Sequence, residues 1–231
     1  MFDKSASNEE FCLTHPLLRT HLEAVLLHNQ KKNLTSITDY SAGEVLHIED
    51  SLAVLPEIHE APTGSMADLG SGAGYPGIPL ALVSGRQTTL IESNQKKAQF
   101  LESFISANGL VGKIVVSPCR SEELALSQAE SFTVVTARAV AELPALLELA
   151  APLLSLGGHF VALKGRPSPE ELLRGCQAAE KLGMYQLKRR DYLLKNDTNN
   201  AQRCVLVYQK QNKTLLSLPR RPGKATKRPL A

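Results

Sequence analysis

The stretch Asp68-Leu69-Gly70-Ser71-Gly72-Ala73-Gly74-Tyr75-Pro76-Gly77-Ile78-Pro79 leaves the backbone few options. Four glycines fall within eight residues, so the chain turns sharply and leaves space beside it. The apolar run before it, Ser65 to Leu69, predicts a buried strand, and the run after it, Ile78 to Val83, predicts a helix. Strand, glycine-rich turn and helix N-terminus together form the corner at which α/β sheets bind nucleotide-like molecules.

Several readings of that corner are open. Gly72, Gly74 and Gly77 satisfy G-x-G-x-x-G, and Glu92 follows at about 20 residues, as in a dinucleotide site. Asp68 at the mouth of the turn repels phosphate, however, and Pro76 and Pro79 remove two amide donors that a pyrophosphate needs. S-adenosylmethionine fits better. It carries a sulfonium, an ammonium and no phosphate, so Asp68 attracts it while Gly70, Gly72 and Gly74 admit it. A tightly packed turn that binds nothing accounts for the same glycines.

Composition bounds the rest. A chain of 231 residues with 43% hydrophobic and 21% charged residues suffices for one α/β domain plus appendages. No stretch approaches the ~20 apolar residues of a membrane span. Met1-Phe2-Asp3-Lys4 has no apolar signal-peptide core, so a cytoplasmic protein is expected. Cys12, Cys119, Cys176 and Cys204 are scattered, and the histidines lack metal spacing, so neither a metal site nor a disulfide framework is expected. The net charge of +3 is uneven: from Lys210 onward there are seven basic residues and no acidic one. The body keeps 19 basic and 23 acidic residues. A basic tail on an acidic body points to a polyanion such as RNA, or to a solvated extension.

In chain order, Ser7-Asn8-Glu9-Glu10 fits a capping box, and Pro16 opens a helix carrying Leu18, Leu22, Val25 and Leu26. Ser41-Ala42-Gly43-Glu44 is a second capping box, followed by a Val45, Ile48, Leu52, Leu55 stripe that Pro56 stops. His47, Asp50 and Ser51 lie on that helix, where capping and surface hydrogen bonding are their ordinary roles. Residues 1–60 thus predict a helical appendage, 61–210 an α/β domain and 211–231 a basic tail. Within 61–210, strands at Ser65–Leu69, Thr88–Ile91, Lys113–Val116, Phe132–Thr136 and His159–Leu163 alternate with helices, among them Leu143–Leu154 and one capped by Ser93. Such alternation predicts a parallel sheet covered on both faces. Tyr185–Leu193 and Cys204–Gln209 predict a terminal antiparallel pair.

Ligands of such sheets bind beyond the carboxyl ends of the strands. Those ends offer Asp68 and Gly70, then Glu92 for two ribose hydroxyls, then Ser121 and Glu122 for an adenine. Arg138, or a salt bridge made by it, and Lys164 with Arg166 follow on the next two strands. Glu92 and Glu122 also suit helix N-termini.

These residues resemble the RsmG/GidB family of bacterial small-subunit ribosomal RNA guanine-N7 methyltransferases. The resemblance rests on Asn33-Leu34-Thr35-Ser36, His47-Ile48-Glu49-Asp50-Ser51, the glycine-rich stretch through Leu80, Glu92-Ser93 with Lys96-Lys97, Ala137-Arg138-Ala139, Ala162-Leu163-Lys164-Gly165 and Leu218-Pro219-Arg220-Arg221-Pro222-Gly223-Lys224. It implies a class I, Rossmann-like methyltransferase sheet, mostly parallel, with a terminal antiparallel hairpin and an N-terminal helical appendage. It implies S-adenosyl-L-methionine contacts at Gly70, Tyr75, Ser121, Glu122 and Arg138, with Glu92 at the ribose. The implied acceptor is N7 of a guanosine in the 530 loop of 16S rRNA, in the small subunit or an assembly intermediate, and the protein is expected to act as a monomer. Arg138 and Lys164 are the substrate-side candidates, and no catalytic base is assigned. The family's aromatic residues before Asn33 are replaced by His28 and Lys32, the chain has no Trp, and Leu46 stands where Arg is common. An NAD-dependent oxidoreductase and a non-catalytic RNA-binding factor are the rival readings. Deleting residues 211–231 is expected to abolish RNA affinity under the RNA-binding-factor reading, and under the methyltransferase reading to weaken RNA binding yet leave cofactor binding intact.

Overall fold

A computed structural model describes residues 15–30 and 33–231; the Ser7–Glu10 capping box and Lys32 lie outside them. Five strands, β1 (Met66–Leu69), β2 (Thr88–Ile91), β3 (Ile114–Ser117), β4 (Phe132–Arg138) and β5 (Leu154–Lys164), run parallel. Two more, β6 (Met184–Tyr192) and β7 (Arg203–Lys210), complete a seven-stranded sheet of order β3-β2-β1-β4-β5-β7-β6. The antiparallel pair is as expected, with one topological addition: β7 inserts between β5 and β6. Its run Cys204–Tyr208 is fully buried, whereas β6 alternates at the sheet edge.

Helices cover both faces. On one face lie α1 (Pro16–Asn29), α2 (Tyr40–Gly43), a π-helical turn (Glu44–Glu49), α3 (Asp50–Leu52) and α4 (Leu55–Glu60). They pack there with α5 (Gly77–Ser84) and α6 (Gln95–Ala107) around Leu22, Ile48, Ile58, Ile78 and Phe104. The other face carries α7 (Ser121–Ser127), α8 (Leu143–Ala150) and α9 (Pro169–Lys181), packed around Leu146, Phe160 and Leu206. Arg86 ties the first group to the sheet: its guanidinium donates to the carbonyls of Ile58, Ala61, Pro62 and Gly64.

Several boundaries differ from expectation. The cap of α2 is Asp39, whose carboxylate accepts the Ala42 N–H, and Ser41 lies inside the helix. The single stripe ended by Pro56 is instead a broken segment. The Asp50 N–H reaches back five residues to Val45 O, which widens the turn, and Pro56 opens α4 rather than closing a helix. Residues 47–52 are consequently all buried, the polar ones included. Asn94, not Ser93, caps α6 through Lys96 and Lys97 N–H. The Leu143–Leu154 helix ends at Ala150, because Leu154 already pairs with Phe132 and Ser155 Oγ donates to Phe132 O. Among the described residues, no helix is long and apolar enough to cross a membrane.

The basic tail is folded onto the body. A short helix α10 (Lys224–Lys227) buries Ala225 against the core beneath α8. The guanidinium of Arg220 grips the buried carboxylate of Glu148 on α8.

Candidate functional site

Beyond Leu69 the chain reverses at Gly70 and Gly72, whose φ angles of +64° and +59° suit glycine. The four glycines differ in what demands them. A Cβ on Gly77 would lie 2.4 Å from Leu90 Cδ2, and one on Gly74 2.7 Å from Ile78 Cδ1. These two serve packing. A Cβ on Gly70 would strike Val140 Cγ2 at 2.7 Å, whereas one on Gly72 would meet only Gly70 O at 3.8 Å. Gly72 thus faces open space, held by its N–H donating 2.8 Å to Glu92 Oε2. Glu92 Oε1 accepts the Asn94 N–H at 2.7 Å. Each oxygen keeps capacity for a further hydrogen bond.

Asp68 is turned away from that opening. It is fully buried; Oδ1 accepts from Thr136 Oγ1 at 2.7 Å and Oδ2 from the Gly77 N–H at 3.1 Å. Burial raises its pKa to about 6, while the hydrogen bonds from Thr136, Ser71 and Gly77 oppose the rise. Its carboxylate therefore sits on the α5 N-terminus, the place a pyrophosphate would need. The dinucleotide reading loses its anchor here, and for a stronger reason than repulsion at the mouth.

Tyr75 links the glycine corner to a second feature. Its ring stacks on His47, with centroids 4.4 Å apart and planes 4° apart, and contacts His21 at 4.6 Å. Its hydroxyl is buried with no hydrogen-bond partner among the described residues. Burial pushes that hydroxyl's pKa up, so it stays a donor. Arg138, at the end of β4, lies 5.7 Å over the same ring. It donates to Leu46 O and Asp50 Oδ2, both at 2.9 Å, and to His47 Nδ1 at 3.3 Å. With Nδ1 accepting, His47 carries its proton on Nε2, 3.1 Å from Thr35 Oγ1. Burial first, then the positive charge of Arg138, lowers the His47 pKa to about 3. The imidazole is held neutral and is a poor base.

Behind Arg138 opens a cavity of about 350 Å³, lined by His47, Asp50, Arg138, Lys164, Gly165 and Arg203 among others. Lys164 Nζ pairs with Glu171 at 2.7 Å and donates to Ala141 O at 3.1 Å. Arg203, at the start of β7, approaches Asp50 Oδ1 to 3.4 Å and Asp197 to 3.9 Å. Ala139 on the rim takes a φ of +55°, a conformation that costs a non-glycine residue energy and often marks a site.

The structure thus joins Gly70, Gly72, Gly74, Tyr75 and Glu92 at one corner, with Asp68 beneath it. Arg138 and Lys164 stand at the adjoining cavity. The salt-bridge reading of Arg138 also holds, with its partner in the N-terminal helices. Ser121 and Glu122 lie beyond β3, where Ser121 Oγ donates to Glu122 Oε2 at 3.2 Å and Gly223 N–H to Glu122 Oε1 at 2.8 Å. Sequence reasoning missed Arg203, which lies on an antiparallel strand outside the strand-end rule. It also gave His47 and Asp50 surface roles, whereas both are buried at the cavity.

The model of the GidB family, described as rRNA small subunit methyltransferase G, matches residues 14–197. The chain belongs to this family. It is 39% identical over 218 residues to the "Ribosomal RNA small subunit methyltransferase G" of Carboxydothermus hydrogenoformans, covering 93% of this chain and 91% of the relative. The relative of that name from Geobacillus kaustophilus is 36% identical over 213 residues, covering 91% and 88%. Among solved structures, a geranyl diphosphate methyltransferase in complex with its diphosphate and sinefungin aligns with TM-score 0.54 at 12% identity, over 69% of this chain and 77% of that one. The structure of "M. jannaschii TYW2 in complex with AdoMet" aligns with TM-score 0.53 at 15% identity, over 70% of this chain and 76% of that one. These likenesses establish the class I methyltransferase fold for the family member described here.

Proposed function

We propose that this family member transfers a methyl group from S-adenosyl-L-methionine to N7 of a guanosine in the 530 loop of 16S rRNA. The observation that carries the reading is the shared wall. Tyr75 and Arg138 separate a glycine corner with open space at Gly72 from a cavity lined with cations. The residues present fit the cofactor: Gly72 leaves room, Glu92 retains acceptor capacity for ribose hydroxyls, and the Tyr75 hydroxyl lacks a partner among the described residues. Gly70, Tyr75, Glu92, Ser121, Glu122 and Arg138 would hold it. Asp68 would act from below, by shaping the turn. Bound there, S-adenosyl-L-methionine supplies an activated methyl group.

The chain's own residues then have a positioning task. Guanine N7 carries a free lone pair, so no proton must be removed before it attacks, and the low basicity of His47 is no handicap. Arg138, Lys164 and Arg203 are placed to hold guanine O6 or a phosphate; Arg fits such acceptors with two N–H groups. An unstacked base on single-stranded RNA suits a cavity of this size.

The test is incubation with labelled S-adenosylmethionine and naked 16S rRNA or small subunits, followed by nucleoside analysis. The expected product is 7-methylguanosine, lost in Gly70→Arg, whose side chain must enter at the Val140 contact. Undiminished transfer by Gly70→Arg, or tight binding of NAD in place of S-adenosylhomocysteine, would refute the reading.

A further inference from the structure

The C-terminal residues reach Glu122, a cofactor-side candidate, where the charge pattern had pointed to a polyanion such as RNA or to a solvated extension. Glu122 is buried, and its Oε1 accepts 2.8 Å from the N–H of Gly223, a hundred residues later in the chain. That N–H is aimed by a turn at Gly223 with φ +77°. A Cβ there would meet nothing within 4 Å, so conformation and not space calls for glycine.

The arm that carries Gly223 is fastened on both sides of it. Arg220 grips buried Glu148 on α8, and its Nη2 also donates to Arg228 O at 2.8 Å. Ala225 is 2% exposed and packs with the core under α8. Lys181 Nζ donates to Leu230 O at 2.6 Å, and Arg174 donates to Ala231 O at 3.1 and 3.0 Å. By contrast Arg221, Lys224 and Lys227 are exposed and pair with no carboxylate among the described residues. Buried Ala225, hydrogen bonds from Lys181 and Arg174 to the arm's carbonyls and the pairing of Arg220 with buried Glu148 hold the arm down, while Arg221, Lys224 and Lys227 face outward.

We infer that the arm, residues 218–231, is a built part of the cofactor pocket: the Gly223 N–H fixes the Glu122 carboxylate for the adenosine end of the ligand. This rests on the proposed methyl-donor site. The arm couples two ligands, because its inner side positions Glu122 and its outer side offers cations to a phosphate backbone. Removing it therefore weakens cofactor binding as well as RNA binding, contrary to the expectation from charge alone.

The experiment is calorimetric titration of S-adenosylhomocysteine into the full chain, into Ala225→Asp, which evicts the apolar anchor without touching Glu122, and into a chain ending at Ser217. Tryptic cleavage after Lys224 and Lys227 reports whether the arm is released. The expected result is an affinity about tenfold weaker in both variants. In the full chain, saturating S-adenosylhomocysteine should also slow arm cleavage, since coupling is reciprocal. Affinity within twofold of the full chain, in either variant with the arm shown released or absent, overturns the inference. If neither variant folds, an unchanged cleavage rate in the full chain overturns it. A full chain that binds no S-adenosylhomocysteine refutes the methyl-donor reading itself, which separates the two failures.

Discussion

On one side of Tyr75, the glycine corner draws its residues from a single stretch, 68–77, and from Glu92 one strand away. On the other side, the cavity takes Asp50 from the N-terminal helices, Arg138 from β4, Lys164 from β5 and Arg203 from β7. The corner is held by backbone N–H groups and by glycines whose conformations are local. The cavity is held by side-chain charges that meet only when four distant segments converge. Substitutions at the corner should therefore act on one ligand, and those at the cavity on packing and the other ligand, except at Arg138, which stands on the wall between them and should affect both.

The largest expected effect is at the cavity. Arg138→Met removes the donors to Asp50, Leu46 O and His47, and leaves buried Asp50 with only the longer contacts of Arg203 and the Tyr192 hydroxyl, both at 3.4 Å, among the described residues. A destabilisation of roughly 3–5 kcal/mol is expected, read as a lower denaturation midpoint, with methyl transfer lost. A stability within 1 kcal/mol of the parent would show that the N-terminal helices do not depend on this contact.

Acid should loosen the wall between the two regions. In the unfolded chain both histidines bind protons below 6.5, whereas burial holds His21 to about 4 and His47 to about 3 in the fold. Between those values the unfolded state binds more protons, so stability falls as pH drops from 6.5 toward 4. Asp68, raised from 3.8 to about 6, works in the opposite direction over its own window, one carboxyl against two imidazoles. His21→Gln should reduce the loss between pH 7 and 4 by about 3 kcal/mol. Melting curves across that range check it, and an unchanged slope would contradict the assignment.

Arg203→Gln tests the division of labour more finely. Methyl transfer should fall roughly tenfold to a hundredfold, while S-adenosylhomocysteine affinity stays unchanged. A matching loss of cofactor affinity would merge the two regions into one. The smallest effect is at Gly223, where Ala meets no steric contact but must adopt φ +77°. A cost of about 1 kcal/mol is expected, confined to the arm and visible as faster tryptic cleavage.

Legibility followed the same divide. The strand–helix alternation, the turn at Gly70 and Gly72 and the antiparallel pair could be read from periodicity and glycine spacing, because each rests on contacts between near neighbours in sequence. The helix at 143–154 was read too long, since the strand pairing that claims Leu154 comes from β4. His47 and Asp50 read as surface polar residues because nothing local says that a widened turn buries them against Arg138.

By itself, then, the sequence determined the class of sheet, the place of the glycine corner and, through its family motifs, what this chain resembles. Only the tertiary structure decided that Asp68 faces the α5 N-terminus, that Arg203 joins the cavity and that a basic tail reaches Glu122. The physical reason is range. Backbone conformation and hydrophobic period are set by residues a few positions apart, whereas a buried charge takes its role from whichever partner the fold brings to it.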